Sequence, residues 1–321
     1  MNTKIIGTGS YVPEHVVTNE DLEKIVDTSD EWIKSRTGIS KRHVSLHQNT
    51  TDLAYEASLK AIEAAGIDKD TIDLIVVATV TPDDVFPGVA QLLQARLKLP
   101  PITAFDVNAA CTGFIYALNI ADKMVRSGAY KTALIVGAET LTKITDFTDR
   151  NTCVLFGDAA GAMILTTSET PHIEKVLTFA QGDSDYLLRM ENYPLKENFQ
   201  TPNTPRTFIE MQGKEVFKFA VGVIPKMIGE LLENTDYALD DLAYIVPHQA
   251  NQRIVDKAAK DLGYPLERMY KNIQDYGNTS AASVPLAIDE AIRKGLIQPG
   301  DLFATVAFGG GLTWGGALIR W

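Results

Sequence analysis

Along this chain, segments with the hydrophobic pattern of a strand alternate with segments that have the hydrophobic pattern of a helix. Short apolar runs, which have the length of strands covered on both faces, lie at 72–78, 102–107, 133–137, 242–246 and 302–307. Segments with apolar residues at helical spacing lie at 52–65, 114–125, 217–233, 254–262 and 285–295. This regular alternation predicts an α/β protein with mostly parallel sheets that are covered by helices on both faces.

Part of this pattern occurs twice. Leu74 and Leu242 lie at the same place in two helix–strand pairs, at an offset of 242 − 74 = 168 residues. Gly128 and Gly295 end two similar helices, at an offset of 295 − 128 = 167. The agreement predicts a duplicated α/β unit with halves at 1–170 and 171–321, although any two amphipathic helix–strand pairs share some likeness. The polar, irregular segment 182–213 is typical of a lid or binding loop.

Composition and charge narrow the class of protein. The chain has 321 residues, 45% of them hydrophobic and 22% charged, and a formal net charge of −11, which argues against nucleic acid as a partner. Two cysteines, Cys111 and Cys153, are too few for a disulfide framework or a zinc ribbon. No basic segment followed by an apolar run opens the chain, and no apolar stretch is long enough to span a membrane, so we expect a cytoplasmic location without membrane contact.

Cys111 is the candidate nucleophile. It lies between the strand predicted at 102–107 and the helix that follows, in the segment Asn-Ala-Ala-Cys-Thr-Gly. Unpaired N–H groups and the positive end of the helix dipole favour a thiolate, so a lowered thiol pKa is expected. A small buried residue packed at a helix start is the alternative, and most free cysteines are of that kind.

The repeat places two polar residues near this cysteine. An offset of 167 carries Cys111 to Asn278, and an offset of 168 carries Val80 to His248, just past a predicted strand. Ligand sites of open α/β sheets lie at the carboxyl ends of strands, so these side chains are expected to converge. A structural histidine and a turn or capping asparagine are the competing interpretations. The run 309–311, Gly-Gly-Gly, could form a tight turn or bring a backbone N–H close to a ligand.

Taken together, these segments resemble the β-ketoacyl-acyl carrier protein synthase III family over nearly the whole chain. The segments that carry the resemblance are 7–13, Trp32, 35–39, Arg42, 108–114, 156–161, 248–251, 277–280 and 308–315. The resemblance implies a thiolase-like α/β fold, a duplicated five-layer αβαβα architecture with halves related by a pseudo-twofold axis.

The same resemblance implies a decarboxylating Claisen condensation. An acetyl-CoA or similar short acyl-CoA primer would acylate Cys111, and malonyl-acyl carrier protein would then lose carbon dioxide and attack the thioester. Cys111, His248 and Asn278 would form the catalytic triad, and the backbone N–H groups of Cys111 and Gly310 would hold the oxyanion. Neither a metal nor a redox cofactor is expected. The chain would catalyse the first condensation of type II fatty acid synthesis.

Further residues are assigned to substrate binding by the resemblance. Trp32 and Arg150 would sandwich the CoA adenine, as an indole face and a guanidinium plane suit stacking on a base. The residues placed along the phosphate and pantetheine channel are Arg36, Gly213, Phe217 and Asn251. A hydrophobic anchor of a short capped helix, beginning near residues 28–31, is the alternative role for Trp32.

Two partner surfaces are also expected. The acidic carrier protein would dock on a basic patch made of Lys214, Lys218, Gln249, Arg253 and Lys257, with Lys260 continuing the same helix face. A solvated charged face is the ordinary explanation of such a run. Phe86 would cross the interface of a homodimer into the partner's acyl pocket, or it is an ordinary loop aromatic.

Several related enzymes would fit the same nucleophile. A thiolase would need a second cysteine near the C-terminus, and residues 309–316 contain none. A hydroxymethylglutaryl-CoA synthase, a polyketide-type condensing enzyme or, less favoured, a cysteine acyl hydrolase stays open. The sequence does not fix the choice between straight and branched primers, because one methylene is worth only about 1–3 kcal/mol in an apolar pocket.

Overall fold

Two mixed β-sheets with helices between and outside them form the framework of the protein. The computed structural model describes residues 1–191 and 208–321. The strands are β1 Asn2–Tyr11, β2 Val16–Thr18, β3 Lys41–His43, β4 Leu74–Ala78, β5 Thr103–Val107, β6 Thr132–Thr140, β7 Asp158–Ser168, β8 Ile173–Ala180, β9 Leu188–Arg189, β10 Glu210–Met211, β11 Leu242–Pro247, β12 Leu302–Gly309 and β13 Thr313–Arg320. The helices are α1 Asn19–Leu22, α2 Asp30–Thr37, α3 Thr50–Ala65, α4 Val89–Leu97, α5 Gly113–Arg126, α6 Gly213–Leu232, α7 Gln252–Leu262, α8 Ile273–Tyr276 and α9 Ser283–Arg293.

The strand order repeats between the two large sheets. The first sheet has the order β1-β7-β6-β4-β5, in which β4 runs parallel to both β5 and β6. The second has the order β11-β12-β13-β8, in which β11 and β12 are parallel. The remaining neighbours in both sheets are antiparallel. The boundary expected at residue 170 lies in the segment between β7 and β8.

The helices form three layers, one between the two large sheets and one on each outer face. Together with the sheets they make five layers. Helices α3 and α4 pack on the outer face of the first sheet, and α6 and α7 pack on the outer face of the second. Helices α5 and α9 lie between the sheets in a single shared core, so the halves are not independent domains. The predicted αβαβα order is confirmed. Within the described ranges no helix has the length and apolar character needed to cross a membrane.

Most predicted element bounds agree with the structure to within a few residues. Helix α3 begins two residues before the predicted 52, because the Asp52 carboxylate accepts from the backbone N–H of the N-cap residue Asn49 at 2.7 Å. Helix α6 begins at Gly213, four residues before the predicted 217. Of the loop expected at 182–213, residues 192–207 lie outside the described residues, and the rest contains the short pair β9 and β10.

The repeat offset is not constant, and this corrects one prediction. Short 3₁₀ turns at Ala110–Thr112 and Ser280–Ala282 lead into α5 and α9, and each begins with a left-handed residue, at φ 47° and φ 48°. Helix α9 has 11 residues and α5 has 14, so the offset grows from 167 at the helix ends to 170 at their starts. The counterpart of Cys111 is therefore Ala281, and Asn278 corresponds to Asn108.

Two buried carboxylates fasten the central helices to the edge strand β1. Asp122 on α5 accepts a hydrogen bond from Thr3 and pairs with Arg126. At the offset of 167, Asp289 on α9 accepts hydrogen bonds from the hydroxyl groups of Thr8, at 2.7 Å, and Ser10, at 2.6 Å. Asp289 also pairs with the arginine four residues on. The duplicated unit thus retains the same ionic fastening in both copies.

We expect the substitution Asp289→Ala to lower the free energy of unfolding by about 1–3 kcal/mol, because it leaves the nearly buried Thr8 hydroxyl without its acceptor. Asp261→Ala, which breaks an exposed ion pair with Lys257, should cost less than about 1 kcal/mol. Urea unfolding of both variants measures the difference. Equal midpoints would contradict the assigned role of the buried carboxylate.

Candidate active site

Cys111 lies where the first half of the chain meets the second. It occupies the turn before α5, is 7% exposed and is followed by Thr112, the N-cap of that helix. A Cβ added to Gly309 at the end of β12 would lie 2.8 Å from the Cys111 nitrogen and 3.0 Å from its Cβ. Only glycine allows this approach, so the end of β12 fixes the position of the thiol.

Burial has the opposite effect on this thiol from the one predicted. It raises the pKa of Cys111 to about 11, and the negative charge of Glu139 acts in the same direction. A hydrogen bond with the side chain of Ser280 lowers the pKa but does not offset burial. The prediction of a lowered pKa is therefore wrong, because the site is enclosed from the second half as well. The resting group is the neutral thiol.

His248 immediately follows β11 and is also enclosed. Its backbone N–H donates to the Val306 carbonyl at 2.7 Å, and its ring meets the Phe308 ring edge-on, with centroids 5.4 Å apart. Burial lowers the pKa of His248 to about 3, so the imidazole is neutral at neutral pH. No group of the described residues hydrogen-bonds its Nδ1 atom. Phe308 precedes Gly309, so His248 and Cys111 flank the same strand end.

Asn278 is held by backbone on both sides. Its N–H donates to the Leu155 carbonyl at 2.8 Å, and its own carbonyl accepts from Gly157 at 3.0 Å. Its side-chain Oδ1 accepts from the Ser280 N–H at 2.9 Å. Because Oδ1 is used within the turn, the Nδ2 end of the amide faces the other way. Ser280 thus holds the Asn278 side chain, and the turn that Ser280 begins packs against the turn that carries Cys111.

Glu139 and Ser280 are site residues that the sequence analysis missed. Glu139 is the last residue but one of β6. Its carboxyl group is fully buried, and burial raises its pKa to about 7. It accepts hydrogen bonds from the Thr81 hydroxyl at 2.6 Å and the Val80 N–H at 3.1 Å. The turn that begins at Ser280 packs against β6 and against the turn that carries Cys111. A lone acid near the end of the apolar run 132–140 was the signal that could have identified it.

Gly310, expected to supply an oxyanion N–H, lies beneath the short β9–β10 hairpin. A Cβ on Gly310 would lie 3.1 Å from the Leu188 carbonyl oxygen of β9. The Gly310 carbonyl accepts from the Thr313 hydroxyl at 3.2 Å. Leu188, in the described part of the segment 182–213, therefore lies directly against Gly310. The role of this segment as a lid or binding loop stays a prediction.

Trp32 and Arg150 contact each other at the surface. Helix α2 begins after Ser29, whose side chain accepts from the Trp32 N–H at 3.1 Å. The Arg150 guanidinium carbon lies 4.6 Å from the centre of the indole ring, and the same group pairs with Asp27 at 3.6 Å. The two planes contact each other directly here, so a base could enter between them only after they separate.

The predicted channel residues are divided between two elements. Asn251 is the N-cap of α7, where its Oδ1 accepts from Arg253 at 2.9 Å and its Nδ2 donates to the Arg36 carbonyl at 3.0 Å. Its side chain therefore ties α2 to α7. Gly213 begins α6. Phe217, one turn further along, lies under Arg253, whose guanidinium carbon is 5.4 Å from the centre of the Phe217 ring. These residues surround one surface region next to the exposed Arg36.

The basic patch is smaller than predicted. Gln249 is 2% exposed, and its amide donates to the carbonyls of Pro247 and Tyr270, so it belongs to the interior and cannot meet a carrier protein. Lys218 and Lys257 are exposed but pair with carboxylates on their own helices. The sequence reasoning failed for Gln249 because an amide after a strand carries no signal of its depth. The exposed residues Lys214, Arg253 and Lys260 complete the patch.

Comparison with known proteins identifies the family. The profile of 3-oxoacyl-[acyl-carrier-protein] synthase III matches residues 105–183, and that of its C-terminal part matches 232–321. A β-ketoacyl-[acyl-carrier-protein] synthase III of Xanthomonas campestris is 53% identical over 320 residues, covering 99% of this chain and 98% of the relative. The chain belongs to the synthase III family. It is a condensing enzyme of the acyltransferase class, as predicted.

Solved structures agree with this assignment. The synthase III of Aquifex aeolicus superimposes with a TM-score of 0.93 at 46% identity, covering all of both chains. The priming β-ketosynthase of the R1128 polyketide pathway has a TM-score of 0.93 at 35% identity, covering 99% of this chain and 96% of the other. The predicted thiolase-like fold class is confirmed.

The close approach at Gly309 gives a test of the site geometry. Gly309→Ala should lower the free energy of unfolding by about 1–3 kcal/mol and shift Cys111, because the added Cβ has no room beside the Cys111 backbone. Gly222→Ala in α6, where an added Cβ meets nothing within 4 Å, should instead stabilise by up to about 1 kcal/mol. Urea unfolding and the rate of Cys111 alkylation measure both. Wild-type behaviour of the Gly309 variant would refute the contact.

Proposed function

We propose that this protein condenses a short acyl-CoA primer with malonyl-acyl carrier protein to give a 3-oxoacyl-acyl carrier protein, through an acyl-Cys111 intermediate. The observation that carries the proposal is the full-length match to synthase III relatives, together with a thiol enclosed by both halves of the chain. This reaction is the initiating condensation of fatty acid synthesis.

In the first half-reaction, the Cys111 sulfur attacks the primer thioester, and the CoA sulfur leaves. The turn around Cys111 supports this role, because Gly309 holds its backbone and the N–H of residue 111 lies at the start of α5. The N–H groups of Cys111 and Gly310 are the proposed donors to the tetrahedral oxyanion. An apolar cluster of Leu141, Ile144 and Phe156 lies next to Asn278 through Phe156 and suits a short acyl group.

In the second half-reaction, malonyl-acyl carrier protein loses carbon dioxide, and negative charge develops on its thioester oxygen. His248 and Asn278 are the proposed donors to that oxygen. His248 is neutral because burial lowers its pKa, and its Nδ1 is enclosed, which leaves Nε2 for the substrate. The Nδ2 end of Asn278 faces away from its own turn. Two neutral donors stabilise the enolate by hydrogen bonds without transferring a proton to it.

Substrate delivery would use the surface residues already located. Trp32 and Arg150 would part to admit the CoA adenine, and Arg36, Asn251, Gly213 and Phe217 would border the path inward. The carrier protein would dock on Lys214, Arg253 and the paired Lys218 and Lys257. Their positive charges complement an acidic partner despite the overall net charge of −11.

A homodimer in the cytoplasm completes the proposal. Strand β5 forms an edge of the first sheet, and the loop before α4 exposes Val85 by 78% and Phe86 by 84%. An open sheet edge and an exposed aromatic favour contact with a second copy, to which Phe86 would contribute an acyl-pocket residue. Cys111 and Cys153 are free thiols, as is usual in a reducing compartment.

Priming of a polyketide synthase is the second candidate function. The similarity to the R1128 priming ketosynthase, at 35% identity over nearly the full chain, favours it over a hydroxymethylglutaryl-CoA synthase or a hydrolase. The chemistry is the same, and the carrier protein and primer differ.

Intact mass after mixing with acetyl-CoA, and then with malonyl-acyl carrier protein, tests the reaction. We expect one acetyl adduct on Cys111 that disappears in the second step with release of carbon dioxide, and none in Cys111→Ala. The Cys153→Ala variant should behave as the wild type, since Cys153 lies in a separate apolar cluster. Loss of the adduct in water alone would support a hydrolase instead, and a malonyl substrate accepted only on a polyketide carrier would support the second candidate.

The docking patch predicts that Arg253→Glu slows the carrier-dependent half-reaction by at least about tenfold, because a reversed charge repels an acidic partner. Acylation by acetyl-CoA should be spared. Lys69→Glu is the control, since Lys69 lies before the amino end of β4, away from the carboxyl ends that form the site. Equal losses in both half-reactions, or an equal effect of the control, would count against docking at this patch.

A further inference from the structure

The His248 ring is not oriented by a hydrogen bond. A histidine that works through one ring nitrogen is usually held by a partner on the other nitrogen, which fixes its orientation and its tautomer. Here Nδ1 is buried, and no group in the described part of the chain hydrogen-bonds it. The ring contacts Phe308 edge-on, with centroids 5.4 Å apart. Its position is therefore set by packing and by the backbone that carries it.

The next residue, Gln249, fixes that backbone with hydrogen bonds in four directions. It is 2% exposed. Its amide Nε2 donates to the Pro247 carbonyl at 2.8 Å and to the Tyr270 carbonyl at 3.1 Å. Its backbone N–H donates to the Ser283 hydroxyl oxygen at 2.8 Å, and its Oε1 accepts from the Asn272 N–H at 3.1 Å. All three N–H donors of this residue and its amide oxygen are thus used.

These partners explain why the residue is a glutamine. Pro247 and Tyr270 offer carbonyl oxygens, which only accept hydrogen bonds, whereas Asn272 offers an N–H, which only donates. The amide can satisfy all of them in one orientation only, with Nε2 toward the two carbonyls. An ionised glutamate of the same shape would donate to neither carbonyl, and a methionine would neither donate nor accept in this way.

The partners of Gln249 lie on both sides of Asn278 in the chain. Asn272 is the N-cap of α8, and Ser283 is the first residue of α9. Both are buried. Asn278 lies in the short connection between these two helices. Gln249 therefore joins the backbone that carries His248 to the segment that carries Asn278.

The first half of the chain has a simpler arrangement at the equivalent position. At the offset of 168, Gln249 corresponds to Thr81. The Thr81 hydroxyl donates to Glu139 at 2.6 Å and accepts from the Thr140 N–H at 2.9 Å, so it joins the end of β4 to the end of β6 within one sheet. Gln249 instead reaches the segment 272–283, which lies outside its sheet. The longer side chain occurs in the half that carries both His248 and the segment of Asn278.

We propose that Gln249 is a positioning residue, which holds His248 at the distance from Asn278 that the second half-reaction needs. His248 Nε2 and Asn278 Nδ2 are the two proposed donors to the enolate oxygen. Two donors stabilise one oxygen only when both lie within hydrogen-bond distance of it at once, so their separation matters as much as their presence. Gln249 itself is enclosed and acts through His248. The inference rests on the proposed function, since it concerns the donors of that reaction.

The two half-reactions should respond differently to the loss of this residue. Cys111 is held by its contact with Gly309, and none of the four hydrogen bonds of Gln249 involves it. Acylation of Cys111 should therefore not depend on Gln249. Decarboxylation and condensation should depend on it, because they use the paired donors.

Steady-state kinetics and intact mass test this difference. Gln249→Met should lower the kcat of condensation about 100-fold, as expected for a misplacement of about 1 Å, and leave the KM for malonyl-acyl carrier protein and the rate of acylation by acetyl-CoA unchanged. Ser283→Ala, which removes only one of the four hydrogen bonds, should lower the same kcat by up to about tenfold. It also serves for every measurement if Gln249→Met does not fold.

Gln94→Met is the matched control. The Gln94 amide also donates to two backbone carbonyls, those of Leu99 and Pro100, each at 2.9 Å. It lies in α4 and bonds the connection that precedes β5, away from the carboxyl ends of the strands. The same substitution there should change neither half-reaction. A loss of condensation equal to that of Gln249→Met would show a general effect on the fold and would overturn the proposal.

A double variant separates positioning from other roles. In a His248→Ala background, Gln249→Met should cause no further loss of condensation, because the donor that it positions is absent. A further loss, or an equal loss in both half-reactions, would contradict action through His248. A raised KM for malonyl-acyl carrier protein at unchanged kcat would also overturn the proposal, since it would indicate the docking contact expected from the sequence.

Crystal structures of the wild type and of Gln249→Met decide the position without substrate. The imidazole of His248 should shift relative to Asn278 by about 0.5 Å or more in the variant, whereas Cys111 should stay in place. An unmoved imidazole would refute the assignment. If the wild type does not condense its acetyl adduct with malonyl-acyl carrier protein, the proposed function fails, while the two structures still decide the role of Gln249.

Discussion

The site depends on an exchange of two short turns between the halves of the chain. The turn that carries Cys111 belongs to the first half but packs against β12 of the second, where Gly309 leaves room for its backbone. The turn that begins at Ser280 belongs to the second half but packs against β6 of the first, where a Cβ on Gly137 would collide with Ala281. Each half thus supplies the wall against which the other half places its reactive groups.

This exchange also determines the electrostatics of the site. Sheets and helices on both sides exclude water, so the resting thiol of Cys111 keeps its proton and His248 loses its charge, as their shifted pKa values indicate. Neutral donors and a neutral nucleophile suit a reaction in which charge develops only during the chemical steps. Burial also raises the pKa of Glu139 to about 7, and the turn that begins at Ser280 packs against the strand that carries this carboxyl group.

The duplication has kept the framework symmetric while the chemistry has become asymmetric. Asp122 and Asp289 occupy equivalent positions on the central helices, and both are buried and bonded to β1. Asn108 and Asn278 accept from equivalent backbone N–H groups, yet Asn108 is exposed and Asn278 is 8% exposed. The two aspartates each stabilise their own half, so both copies are needed. The chain has a single active site, so only one of the two asparagines needs to lie in it.

The sequence by itself determined the elements, their alternation and the repeat, because periodicity, capping residues and glycines act over a few neighbouring residues. It also placed Cys111 and His248 beside strand ends. Only the tertiary structure decided how deep each group lies, since depth depends on elements far apart in the chain. That is why the pKa of Cys111 moved opposite to the prediction, Gln249 proved to be interior, and Glu139 joined the site without a signal in the local pattern strong enough to single it out.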